Sequence, residues 1–399
     1  MSLELSRKAI AVKPSSTLAI TAKAKKMRSE GIDVVGFGAG EPDFPTPANI
    51  CEAAKRAIDE GFTKYTPAAG TAELRQAVSD KFLRFNHLNY QPSQIVISNG
   101  GKHSLNNIFE ALLNPGDEVI VPSPFWLSYV EMIKLAGGVP VTVRCPKEQN
   151  YKITASQLEF AINDRTKALV LNTPNNPTGM IYTREELQAI ADIAVKKDIY
   201  VIADEMYEIL TYEGQEFVSI ASLGEEIYNR TITCSGVSKS YSMTGWRIGY
   251  VGAPREIAKL MSSIQSHQAS NPNSIAQVAA AEALNGPQDK VEEMKREFDR
   301  RRIYMYERLS KMPHISCIKP MGAFYTFVDC SGVFGMSYKG EEIFDIAHVA
   351  KALLDDYQTA VVPCTDFGAD DHIRLSYAIS MESIEKGLDR IEAYLGELK

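Results

Sequence analysis

The 399-residue chain has no closely paired cysteines. Cys51, Cys145, Cys234, Cys317, Cys330 and Cys364 are scattered singly, and nowhere do they form Cys-x-x-Cys. That spacing offers neither a zinc site nor a dithiol, and it suits reduced thiols in a cytosol. Long hydrophobic runs are also missing. No stretch approaches 18 uninterrupted apolar residues, so no membrane-spanning helix is expected. The opening MSLELSRKAIAVKPSS lacks the apolar core of a signal peptide, and a cytoplasmic protein is expected. Positive charge is in short supply: 43 Lys and Arg against 50 Asp and Glu, a net charge of -7. This excludes a general surface for nucleic acid or anionic membrane, but leaves room for a local basic pocket that takes a small anion. There is no internal repeat and no low-complexity segment.

What is present is ordinary globular composition, 45% hydrophobic and 23% charged. At about 150 residues per domain the length suggests two or three domains. The middle of the chain alternates strand-like and helix-like segments. QIVISNGG (94–101) leads into KHSLNNIFEALLNPGD, whose Leu105, Ile108, Phe109 and Leu112 repeat with helical spacing before the Asn114-Pro115-Gly116 breaker. EVIVPSP, VPVTVRC, KALVLNTP, DIYVIADEMY, TITCSGVSKS and IGYVGAP read as strands. YTREELQAIADIAVKK reads as a helix, with Thr183 and Glu186 spaced as a capping box. Apolar strands alternating with helices predict a mostly parallel α/β sheet buried on both faces. Near residue 290 the texture changes to a long charged helix. Short strands follow, then a helix near 341–355 and a last amphipathic helix over 381–397. A second, smaller α+β domain is therefore expected. The predicted division is 46–290 for the large domain, with 1–45 and 291–399 forming the small one.

In an open α/β sheet, ligands sit at the carboxyl ends of the strands. Gly100-Gly101-Lys102 closes a strand and opens a helix, where free N–H groups favour a phosphate. Taken alone, that pattern is more often a simple tight turn. Asn172-Thr-Pro-Asn-Asn-Pro-Thr-Gly179 ends another strand, and its prolines hold Asn175 and Asn176 in a rigid turn. Asp204 ends the most hydrophobic strand, a costly place for a carboxylate without a partner, and Tyr207 follows three residues later. Ser238-Lys-Ser-Tyr-Ser-Met-Thr-Gly-Trp-Arg-Ile-Gly-Tyr250 holds Lys239 and Arg247 among small and hydroxyl residues. Arg374 lies in the apolar HIRLSYA, placed either for bidentate carboxylate recognition or for an edge-strand salt bridge.

Gly36-Phe-Gly-Ala-Gly40 imitates a dinucleotide fingerprint. It runs into Glu41-Pro-Asp-Phe-Pro-Thr-Pro47, where three prolines prevent the helix that holds a pyrophosphate. It reads better as a rigid loop between domains, with Gly40 admitting a ligand to the backbone. Together the candidates supply a phosphate cradle, a carboxylate, a phenol, an amide, a lysine and two arginines. Pyridoxal phosphate requires that set: a lysine for the Schiff base, an acid for the pyridinium nitrogen, and donors for the ring oxygen and phosphate.

The ordered series KPSST, GAGEPDFPTP, KYTPAAG, SNGGKHSLNN, PSPFWLSY, NTPNNPTG, ADEMYE, SKSYSMTGWRIGY, GAFY and HIRLSYA covers nearly the whole chain. It resembles the fold-type I, class I pyridoxal-phosphate aminotransferases, in the bacterial aspartate aminotransferase group. The resemblance implies a three-layer α/β/α large domain and an α+β small domain. It implies that Lys239 carries the cofactor as a Schiff base and later moves the substrate α-proton. Asp204 would pair with the ring N–H, and Asn176 and Tyr207 with the ring oxygen. Gly101, Lys102, Ser238 and Arg247 would hold the phosphate, with Tyr65 reaching that of a neighbouring subunit in a homodimer. Trp126 would stack on the ring. Arg374, Asn176 and the Gly40 backbone would bind the substrate α-carboxylate.

By the same resemblance, Lys102 and Trp126 would read a distal carboxylate, and Lys13 matches a position linked to prephenate. The implied reaction moves an amino group from L-aspartate to 2-oxoglutarate. Prephenate or arogenate is a possible second activity, and broader or aromatic specificity and a lyase on the same fold are the alternatives. Many relatives keep a phosphate-binding serine three residues before the lysine. Gly236 stands there in this chain, leaving Ser235 and Ser238 as the nearby hydroxyls. A cofactor-sensing transcription regulator would need an added DNA-binding domain and a basic patch, and a nicotinamide dehydrogenase is undercut by the broken fingerprint.

Overall fold

The computed structural model describes residues 4–14 and 16–399; Ser15 of the KPSST motif lies outside them. Seven segments form the main sheet: β1 (Ile95–Ser98), β2 (Glu118–Ser123), β3 (Val139–Arg144), β4 (Thr166–Asn172), β5 (Tyr200–Asp204), β6 (Thr231–Gly236) and β7 (Gly249–Gly252). Their order is β1-β7-β6-β5-β4-β2-β3. Only β7 runs against its neighbours; the β6/β5, β5/β4, β4/β2 and β2/β3 pairs are parallel. The fold is the expected three-layer α/β/α arrangement around a mostly parallel sheet.

Alternation along β5 shows both faces at work. Val201 and Ala203 pack in one apolar cluster, with Leu169 and Leu171. Ile202 points the other way, into a cluster with Val170, Ile232 and Phe109. Successive strand side chains face opposite sides, so a strand covered on both must be apolar throughout. The edge strand β3 departs from that expectation, being only half-buried, because the sheet ends beside it.

Helices form where their caps and stripes predict. In α1 (Ala72–Lys81) the Thr71 side chain accepts from the Leu74 N–H. Helix α2 (Gly101–Leu112) buries Leu105, Ile108, Phe109 and Leu112 on one stripe. Helix α3 (Arg184–Lys196) has its capping box: Glu186 N–H donates to Thr183 Oγ1, and Thr183 N–H donates to Glu186 Oε2. The long charged helix is α4 (Asp289–Leu309), and α5 (Met381–Gly396) is the last.

A second sheet contains β8 (Ser316–Cys317), β9 (Tyr325–Asp329), β10 (Val362–Pro363) and β11 (His372–Ser376), in the antiparallel order β10-β11-β9-β8. Strand β11 is therefore internal, and Arg374 is not an edge residue. The stretch 341–355 divides into a two-residue strand, Glu341–Glu342, and a helix, Ile346–Asp355, whose N-cap Asp345 accepts from the His348 N–H. The N-terminal segment joins this region: Val35–Gly36 pairs with Thr359–Ala360. Among the described residues no helix is long and apolar enough to cross a membrane.

Candidate active site

The carboxyl ends of β4, β5 and β6 open on a cavity of about 430 Å³, which Gly38–Glu41, the start of α2, Tyr325 and Arg374 also line. Of the residues singled out in the sequence, Gly40, Gly101, Lys102, Trp126, Asn176, Asp204, Tyr207, Ser238, Lys239, Arg247 and Arg374 all meet there. Two do not. Tyr65 is 89% exposed, and Lys13, also exposed, has its backbone N–H on Glu131 Oε2.

Lys239 follows β6 and reaches across the cavity, donating from Nζ to the Gly40 carbonyl at 2.6 Å. Burial pushes its ammonium down to about 8; Arg374 and Arg247 add to the shift, while Glu41 and Asp204 oppose it. Desolvation disfavours the charged form, so this lysine exchanges its proton near neutrality. Asp204, at the end of β5, accepts from Tyr129 Oη at 2.5 Å and from the Met206 N–H at 3.2 Å. Burial raises its carboxyl above the usual carboxylate range, partly offset by those two donors and by Lys239. A cation placed beside it would restore the ionised form.

One corner of the cavity is built from glycine and arginine. A Cβ on Gly100, whose φ is +89°, would lie 2.3 Å from Arg247 Nη2. Glycine at this position thus lets the guanidinium sit against the start of α2, where the first N–H groups have no intrahelical acceptor. Arg247 donates to the Thr244 and Asn99 carbonyls. Of the two serines, Ser238 lines the cavity. Ser235 faces away, with its hydroxyl on Glu208 Oε1 at 2.5 Å.

On the opposite wall Arg374 is 2% exposed. Nη1 donates to Asn176 Oδ1 at 3.0 Å and Nη2 to the Gly38 carbonyl at 3.1 Å, while Nε is buried with no partner. With its oxygen so engaged, Asn176 keeps its NH₂ as a donor. Lys102 Nζ lies 5.0 Å from the Trp126 ring centroid, and burial with Arg247 nearby lowers its pKa. Among the described residues, none of Lys102, Lys239, Arg247 or Arg374 has a carboxylate within 4.0 Å. Four basic side chains around one cavity, none ion-paired with the Asp204 and Glu41 carboxylates that share it, describe a receptor for a ligand with several negative groups.

Residues 32–391 match the family model for aminotransferase class I and II. The chain belongs to that family. It is 50% identical over 382 residues to an aspartate aminotransferase of Bacillus sp. strain YM-2, covering 96% of each chain. To a probable aspartate/prephenate aminotransferase of Aquifex aeolicus it is 48% identical, covering 97% of each. The crystal structure of the aspartate aminotransferase from Rhizobium meliloti superposes with a TM-score of 0.96 at 40% identity, covering both chains completely.

This aminotransferase also brings residues to the cavity that the sequence reading had not assigned a role: Thr17, Glu41, Tyr129, Asn172 and Tyr325. Glu41 accepts from Thr244 Oγ1 at 2.7 Å. Asn172 anchors the rigid turn, accepting from the Asn176 N–H and donating to the Asp204 carbonyl. Tyr129 had a signal, since a buried Asp204 demands a donor. Its partner lies 75 positions away, and spacing along the chain does not reveal it.

Proposed function

We propose that this aminotransferase uses pyridoxal 5'-phosphate held by Lys239 to move the amino group of L-aspartate to 2-oxoglutarate, giving oxaloacetate and glutamate. The observation that carries the reading is the grouping of Lys239, Asp204 and a partly unsatisfied Arg374 around one cavity. The donor set fits the cofactor. Arg247, Ser238 and the start of α2 suit a phosphate, Asp204 suits a ring N–H, and the Asn176 NH₂ with Tyr207 suits a ring oxygen. Trp126 supplies an aromatic face.

When bound, the cofactor supplies an aldehyde and an electron-accepting ring. The protein's residues do the rest. Arg374 clamps the substrate α-carboxylate through its fork of N–H groups and so orients the α-carbon. Lys239, neutral above about pH 8, takes the α-proton at Nζ and returns it one position away. Asp204, steadied by Tyr129, keeps the ring nitrogen protonated.

Lys102 beside Trp126 favours a substrate with a second carboxylate, which is why aspartate comes first. Prephenate or arogenate as a further substrate draws on the similarity to the Aquifex aeolicus protein. The exposure of Tyr65 supports a role at the phosphate of a neighbouring subunit in a homodimer. The six free cysteines support a cytoplasmic setting. The division into a large domain, 46–290, and a small one, 1–45 with 291–399, draws on the two separate sheets.

A panel of amino donors against 2-oxoglutarate, with Lys102→Ala in parallel, tests the assignment. Aspartate should lead in the wild type. Lys102→Ala should lower kcat/KM for aspartate by roughly 10-fold or more while changing alanine little. Equal loss for both donors would remove Lys102 from specificity, and ammonia or carbon dioxide as product would indicate a lyase.

A further inference from the structure

Tyr325 opens β9, on the second sheet, yet its side chain reaches the cavity. It is buried, and it touches two parts of the site at once. Its hydroxyl lies 2.8 Å from that of Tyr207. The guanidinium of Arg374 sits over its ring, 4.3 Å from the centroid. It also packs at the Gly40 backbone, where a Cβ would come within 3.2 Å of its hydroxyl oxygen.

Each phenol carries one proton, so in a pair one hydroxyl donates and the other accepts. Burial raises both phenols, and Arg374 acts to lower both. Among the described residues neither hydroxyl has a hydrogen-bond partner other than its fellow. With the Tyr207 proton given to a ring oxygen in the cavity, the bond between the two phenols is left for Tyr325 to donate. The two rings cross at 79°, and Phe324 packs edge-on against Tyr207.

We propose that Tyr325 is a positioning residue: by donating its hydroxyl proton to Tyr207, it directs the Tyr207 proton at the cofactor's ring oxygen. This rests on the pyridoxal-phosphate reading above. A hydrogen bond donated to that oxygen stabilises its negative charge, and so lowers the proton affinity of the basic nitrogen beside it. Without Tyr325, the Tyr207 hydroxyl rotates between the ring oxygen and other directions, and part of that stabilisation is lost. The ring of Tyr325 separately supports Arg374, which makes the two roles separable by deleting the hydroxyl alone.

The test is the visible absorbance of the holoenzyme as a function of pH in wild type, Tyr325→Phe, Tyr207→Phe and the double variant. Tyr207→Phe should raise the pH midpoint by about one unit. Tyr325→Phe should raise it in the same direction by roughly half as much. The double variant should match Tyr207→Phe, because Tyr325 acts only through Tyr207. In turnover, Tyr325→Phe should lower kcat by about 3- to 10-fold while KM for the amino donor stays within about twofold, since the ring beneath Arg374 remains.

An unchanged midpoint in Tyr325→Phe would overturn the proposal. So would a shift that persists undiminished when Tyr207 is already Phe. A wild type that develops no pH-dependent absorbance with pyridoxal phosphate would defeat the cofactor reading itself, which is a distinguishable result. Tyr325→Phe removes one hydroxyl and keeps the aromatic packing, and Tyr207→Phe gives a reference shift from the other member of the pair.

Discussion

Asp204 and Glu205 are neighbours at the end of one buried strand, and they face opposite sides of the sheet. Toward the cavity, Asp204 joins Lys239, Arg247, Lys102 and Arg374, an array whose cations have no carboxylate within 4.0 Å among the described residues. Toward the other face, Glu205 joins Lys81, Asn86, Glu208, Ser219 and Ser235, all buried. Here the polar groups close on one another. Lys81 pairs with Glu208. The Asn86 NH₂ donates to both carboxylates, at 2.9 and 2.6 Å, and its oxygen accepts from Lys81 at 2.8 Å. The Ser219 and Ser235 hydroxyls donate to Glu205 and Glu208, each at 2.5 Å. Burial, reinforced by Glu208, pushes the Glu205 carboxyl up. A buried network that satisfies itself belongs to the fold, and one left open awaits a ligand.

The two clusters should fail in opposite ways. Glu208→Ala leaves Lys81 buried without its counter-charge, and should cost about 3–5 kcal/mol of stability. A denaturant midpoint, read alongside KM, checks this: the midpoint should fall while KM for the amino donor holds. An unchanged midpoint would mean that water reaches the cluster and that the comparison fails. Arg374→Lys should do the reverse. A lysine cannot reproduce the two-pronged donation, so KM for amino and oxo acids should rise roughly 10- to 100-fold, with the denaturant midpoint shifting little. Loss of stability without a change in KM would move Arg374 from the binding array to the structural one. The Lys102→Ala and Tyr325→Phe effects are smaller, and they refine which parts of the open cluster read substrate and which orient it.

Much of the open cluster was legible because it sits on local motifs. Glycines, prolines and chemically costly residues at strand ends mark Gly101, Asn176, Asp204, Lys239 and Arg247 within short stretches. The alternation of apolar strands and helices likewise exposed a mostly parallel main sheet, though not the order of its strands. The closed cluster was not legible. Lys81 sits in a helix whose pattern looks like an ordinary solvated face, and its partner Glu208 is 127 positions away. Glu205 left a trace: two successive acids end an apolar strand, so one must face each side and each needs a partner. The Tyr207–Tyr325 pair spans 118 positions and joins the two sheets, which only the folded chain brings together. Arg374 was ambiguous as a strand residue until β11 proved internal.

Trapping pyridoxal phosphate on the cofactor-free protein with borohydride, across pH, and locating the added mass by peptide mapping tests the central claim most directly. The added mass should appear on Lys239 alone, with capture half-maximal near pH 8, where burial places its ammonium. Label on Lys102 or spread over surface lysines, or capture that rises only toward pH 10, the range of an ordinary lysine, would contradict it.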